Sequence, residues 1–272
     1  MMKYSVLLVG LFLMFSTSSY SQKKSSRKNY EPLFGTSMAK YHVSSQQLKG
    51  ASFYLVSGHG GPDPGAIGKY NGKELHEDEY AYDIILRLGR ELLMRGAKVE
   101  IIIQDEKDGI RNDYVLNNSK RETCMGKTIP LNQVERLSQR CSAINSLYRK
   151  DRSTYKRGIF IHVDSRGKGQ QTDVFFYHAP GSKKGKQLVD NLHSTFEKKY
   201  GRHQPNRGFT GTVSSRNLYV LSQSNPVCAF LELGNIRNSQ DQKRLVIPAN
   251  RQALARWIAD GIVADYKETK KR

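Results

Sequence analysis

The chain has 272 residues, 38% of them hydrophobic, which is adequate for the packed core of one domain, and it has no apolar run near the roughly 20 residues of a membrane span. Its 44 Lys and Arg against 25 Asp and Glu give a net charge of +19. That charge favours polyanionic partners but shows no nucleic-acid-binding motif, and no local pattern activates any of the three cysteines as a nucleophile.

In chain order, Met1-Met2-Lys3, the apolar run Val6 to Phe15 and the small residues Ser16 to Ser21 read as a secretory signal peptide over 1–21, placing the mature protein in the periplasm or outside the cell. Residues 22–50 carry Lys23, Lys24, Arg27 and Lys28 with few aliphatic side chains and read as a flexible basic lead-in. The folded domain is predicted over 51–267. Phe53 to Val56 is a strand. Tyr80 to Arg95 is a helix with Ile84, Ile85, Leu88 and Leu92 on one face, closed by Gly96, and Lys98 to Ile103 returns as a strand. That order is a βαβ unit.

Residues 105–130 are polar and aperiodic and read as an inserted loop or lid. Leu131 to Tyr148 is a helix with Leu137, Cys141, Ile144 and Tyr148 along one face. Gly158 to Val163 and Thr172 to Tyr177 are strands, Leu188, Leu192 and Phe196 mark a helix, and Arg202 to Ser215 is a surface loop. Asn217 to Leu221 and Val227 to Leu233 are strands, Ala253 to Tyr266 is a closing helix, and 268–272 is a basic tail. The sum is an α/β single domain: a mostly parallel, twisted sheet of about six strands with helices on both faces. Cys228 reads as a buried thiol, while Cys124 and Cys141 fit either a bridge or isolated thiols.

Four residues stand out chemically. His59 sits in a glycine-rich turn after the first strand, where a plain loop is the alternative. Glu77 lies among Glu74, Asp78 and Glu79 at a helix start, where acidic residues also simply complement the dipole. His162 interrupts an apolar strand near its carboxyl end, and Glu232 lies within the apolar run from Val227, where a carboxylate needs a compensating cation or metal-bound partner. Two histidines and a carboxylate, with a fourth position open, form a recognised hydrolytic zinc set.

Taken together, Gly58-His59-Gly60-Gly61-Pro62-Asp63-Pro64-Gly65-Ala66, Glu77 with the helix to Leu88, Arg140 to Asn145, Phe160-Ile161-His162 and Asn225 to Asn238 resemble the Amidase_3 family of zinc-dependent N-acetylmuramoyl-L-alanine amidases. The resemblance implies Zn2+ held by His59, Glu77 and His162, with Glu232 as the catalytic carboxylate. Glu77 is preferred to Glu74 by counting back from Arg87 and Leu88 along the family's helix. It also implies a peptidoglycan substrate, and the further expectations are a monomer, anionic envelope polymers and a protein activator as partners, and no nucleic acid. Three positions depart from the family pattern: Val56-Ser57 stands where Asp-Pro is common, His162-Val163-Asp164 replaces His-Ala-Asn, and Asn235 replaces an aromatic residue. The first removes a carboxylate that would orient a ligand. The alternatives are a non-catalytic wall-binding or regulatory protein on the same fold, or another zinc peptidoglycan amidohydrolase or carboxypeptidase.

Overall fold

The computed structural model describes residues 29–165 and 169–271, so the signal peptide expected over 1–21 and the first part of the expected lead-in lie outside the described residues. In chain order the elements are β1 (Ala51–Ser57), the hairpin β2 (Ile67–Tyr70) and β3 (Lys73–His76), α1 (Glu77–Met94), β4 (Lys98–Ile101), and the short strands β5 (Ile103–Gln104), β6 (Thr123–Cys124) and β7 (Lys127–Thr128). Then come α2 (Gln133–Lys150), β8 (Tyr155–Asp164), β9 (Phe175–His178), α3 (Lys183–His203), β10 (Thr212–Ser215), α4 (Tyr219–Gln223), β11 (Val227–Asn235), α5 (Ser239–Val246) and α6 (Pro248–Lys270).

Six strands form the central sheet in the order β10-β9-β11-β8-β1-β4. β4, β1, β8 and β11 run parallel, and β9 turns the sheet antiparallel at β11. Every residue of β1 is buried, as expected of a parallel strand covered on both faces. Alternate side chains divide between two cores: Phe53, Leu55, Ile161 and Leu231 face α1, α3 and α6, while Tyr54, Val56, Phe160 and Phe230 face α2 and α4. The predicted α/β architecture with helices on both faces is the one observed. Ile84, Ile85, Leu88 and Leu92 of α1 are all fully buried, which is why their spacing was so legible. Among the described residues, no helix is long and apolar enough to cross a membrane.

Several boundaries move. Asn217 to Leu221, expected as a strand, gives way to α4, whose Val220 and Leu221 bury against the α2 side of the sheet. The sixth strand is β10, inside the expected loop; it is an edge strand with little burial and so carries no apolar signal. The described part of the lead-in is packed on the domain: Phe34, Ala39 and Leu48 are fully buried, and the backbone N–H of Ser44 donates to Met94 O at 2.8 Å. Three anchors at wide spacing show no periodicity in a polar sequence. At the other end, α6 carries through to Lys270, taking most of the expected tail into the helix.

Residues 105–130 pack against the domain instead of projecting from it. β6 and β7 extend β5 into a small sheet, and Leu116 is buried. Cys124 and Ile129 are buried as well, and polar anchors join them: Asp83 accepts from Arg111 N at 2.8 Å, Glu79 from Ser119 N at 2.5 Å, and Glu122 accepts from Gly61 N at 2.8 Å. Buried charge and apolar residues that follow no period tie the segment down, so the sequence pattern hides it. All three cysteines are buried and free, so the bridge between Cys124 and Cys141 is not formed.

Candidate active site and metal centre

The carboxyl ends of β1 and β8 and the start of α1 bring His59, Glu77 and His162 together, one potential ligand atom from each lying within 4.8 Å of the others. His59 Nε2 is 3.3 Å from Glu77 Oε2, and His162 Nδ1 is 2.9 Å from Glu77 Oε1. Glu77 is therefore the central member, further held by the backbone N–H groups of Ala66 at 2.9 Å and Val163 at 3.0 Å. Glu74, the alternative in the sequence, is over half exposed and turns to His76.

Small residues make this approach feasible. A Cβ on Gly58 would lie 2.3 Å from His162 Cε1, and one on Gly65 would lie 2.7 Å from both Glu77 Oε2 and His59 Cδ2. His59 itself has φ of 59°, an uncommon left-handed conformation for a residue with a side chain, held by the surrounding loop. The ring of His162 stacks on Phe230 at 4.4 Å between centroids, which fixes its plane.

The orienting carboxylate that the sequence seemed to lack comes from Asp63, four residues after His59. Its Oδ2 lies 2.7 Å from His59 Nδ1, leaving Nε2 to face Glu77. Asp63 is in turn bound by Arg136 Nη2 at 2.5 Å, and Arg140 donates to the His59 carbonyl, so α2 braces the loop from outside. The signal for Asp63 was its place in the same turn as His59, but the loop's reversal at Gly60 and Gly61, both at positive φ, cannot be read from spacing alone.

The electrostatics are those of a cation site. Burial alone would lower the His59 pKa, but the carboxylates of Asp63 and Glu77 outweigh it and hold it at about 10. Asp63 falls to about 2, chiefly through its hydrogen bond to His59. Burial would raise Glu77, yet its bonds to His162 and His59 leave it well below the usual carboxylate range. His162 is lowered by burial. Two ionised carboxylates around the imidazoles thus make a pocket that favours positive charge, and the N, O, N donor set suits a metal with borderline-soft preferences.

The trio sits between two concavities. One, of about 260 Å³, is mostly apolar and runs toward α2 and α4 past Phe160, Leu218 and Phe230. The other, of about 620 Å³, contains Glu232 together with Asp164, Arg216 and Arg237. Glu232 is paired in register with His162 across β11 and β8, so the fold places the fourth sequence-predicted residue on the strand next to a potential ligand. Asn235, a departure from the family pattern, is fully buried; its side chain accepts from Arg237 N at 2.9 Å and donates to the Gln170 carbonyl at 2.9 Å, serving as a loop anchor. Arg136, Arg216, Arg237 and Phe230 also line these concavities, although no spacing in the sequence marks them for the site.

The chain is similar to several cell wall amidases. The chain is 25% identical over 230 residues to an uncharacterized cell wall amidase of Bacillus anthracis, covering 82% of this chain but only 36% of that protein. It is also 25% identical to the germination-specific N-acetylmuramoyl-L-alanine amidase of Bacillus subtilis, covering 82% of this chain and 83% of the relative. The amidase CwlD of Clostridioides difficile, solved in complex with the lipoprotein GerS, shares the fold with a TM-score of 0.57 at 18% identity over 79% of this chain and 98% of that one. The family model described as N-acetylmuramoyl-L-alanine amidase matches residues 54–264, and the chain belongs to that family.

Proposed function

We propose that this chain is a zinc-dependent amidase of peptidoglycan, cleaving the bond between the lactyl carboxyl of N-acetylmuramic acid and the L-alanine of the stem peptide. The observation that carries this is the convergence of His59, Glu77 and His162 beside a cleft that also holds Glu232. His59, Glu77 and His162 would hold the zinc, which when bound polarises the scissile carbonyl and acidifies water. Asp63 fixes the His59 ring so that Nε2 faces Glu77, and the Phe230 ring keeps His162 in plane.

Glu232 acts as the proton carrier. It accepts a proton from the attacking water as the C–O bond forms, and returns it to the alanine nitrogen as the C–N bond breaks. The products are a free lactyl carboxylate and a peptide with a free amino terminus. The proposed export over residues 1–21 would place this chemistry where the substrate lies, and the cell wall named for the relatives supports that location.

The test is to incubate the full exported chain, loaded with zinc, with purified wall sacculi and identify the products by mass spectrometry. Release of peptides beginning with L-alanine is expected, abolished by a chelator and restored by zinc. New carboxyl termini within the stem, without free L-alanine, would instead establish a carboxypeptidase and overturn the proposal.

Asp63→Ala is expected to weaken zinc binding by about 10–100-fold, as when other partners of metal-bound histidines are removed. Competition against a chromogenic chelator measures this independently of turnover. Wild-type affinity in the variant would show that Asp63 has no hold on the metal site.

A further inference from the structure

Most arginines around the site are committed: Arg136 to Asp63, and Arg140 to main-chain carbonyls. Arg216 and Arg237 are different. Both line the 620 Å³ cleft with Glu232, His59, Glu77 and His162, and neither forms an ion pair with a carboxylate among the described residues. Arg216 follows β10 and lies over the Tyr177 ring, 4.9 Å from its centroid. Stacking uses the face of a guanidinium and leaves its in-plane N–H donors available. Arg237 comes from the far side, past the end of β11, and commits Nε to the Ile67 carbonyl at 3.2 Å, leaving the two Nη groups uncommitted. Two fork-shaped cations thus border the cleft from two different elements. Such forks match carboxylates in bidentate geometry.

We infer that Arg216 and Arg237 bind the free carboxylates of the stem peptide and make this site selective for acidic over amidated stems. The inference rests on the amidase proposal above. It follows from the substrate's chemistry: the residue after L-alanine is a glutamate joined through its side chain, so its α-carboxyl is either ionised or masked as an amide. The leaving peptide therefore carries a negative charge one residue from the reacting bond in one form and none in the other.

The experiment uses the zinc-loaded chain and two substrates differing in one group, muramoyl-L-alanyl-γ-D-glutamyl-L-lysine and muramoyl-L-alanyl-D-isoglutaminyl-L-lysine, in both of which the glutamate side-chain carboxyl is tied up in the amide bond to lysine. Wild type, Arg216→Gln and Arg237→Gln are compared by kcat/KM, after confirming equal thermal midpoints and equal zinc content. The expected wild-type preference for the acid is about 10-fold or more, the scale of a lost hydrogen bond to a charged group. Each variant should lose most of that preference through a higher KM for the acid, with the amide substrate barely affected. Equal rates on both substrates in the wild type would overturn the selectivity while leaving the amidase assignment standing. A preference retained in both variants would overturn the assignment of these two arginines. Hydrolysis of neither substrate, with intact sacculi also uncut, would refute the amidase proposal itself.

Discussion

Glu232→Gln is expected to lower kcat by about 10²–10⁴-fold, the span a positioned acid–base group contributes. The amide keeps the size of the carboxylate and its place beside His162, but it no longer takes a proton from water. Zinc affinity should stay near wild type, because the three potential ligand atoms that cluster come from His59, Glu77 and His162. The two measurements separate the roles. Loss of rate with metal retained assigns Glu232 to proton transfer; parallel loss of metal would make it a fourth ligand, and an unaffected rate would remove it from the mechanism. The contrast with Asp63→Ala sharpens the test, since that change should act first on metal affinity.

Asp83→Ala is expected to cost a large share of the stability of the domain. Asp83 is fully buried on α1, the helix that begins with Glu77, and its Oδ2 receives Arg87 Nε at 2.7 Å and Arg251 Nε at 2.6 Å, while Oδ1 receives the backbone N–H of Arg111. Arg251 is itself fully buried and also donates to the carbonyls of Arg111 and Asp113. One carboxylate therefore joins α1, α6 and the 105–130 segment. Removing it strands two guanidinium groups away from water, a change that costs about 3–5 kcal/mol when a buried pair is broken. Against a total of about 5–15 kcal/mol for a typical domain, that is decisive. By comparison, Lys186→Ala, which breaks an exposed pair with Asp190, should change stability by under about 1 kcal/mol. Urea midpoints of the two variants decide the matter. A loss under about 1 kcal/mol for Asp83→Ala would mean that the cluster contributes little beyond packing.

What the sequence revealed follows a physical division. Elements stabilised by apolar periodicity were legible, as in α1, where Ile84, Ile85, Leu88 and Leu92 all reach the core. The four chemical residues were legible because charge and imidazole stand out against apolar or glycine-rich surroundings. Contacts made by polar groups were not. Asp63 reads as one more loop residue until the turn folds it back on His59. The 105–130 segment reads as an excursion because its buried apolar residues, Leu116, Cys124 and Ile129, follow no period, and its other anchors are the carboxylates of Glu79, Asp83 and Glu122. The edge strand β10 and helix α4 exchanged places for the related reason that local composition does not say which of two neighbouring segments will find a sheet partner.

The pairing of Glu232 with His162 has a consequence for when the protein becomes active. These residues meet only if β11 lies beside β8 in one particular alignment, since sliding either strand by one position turns its side chain to the opposite face. His59 and Glu77 arrive from the stretch between β1 and α1, so three widely separated parts of the chain must meet to complete the centre. Such distant pairings form late, after the costly closure of long loops. On the proposed reading, a chain still unfolded has no assembled centre and no cutting power to restrain: competence comes in the same event as the sheet, and the fold serves as its own safety catch.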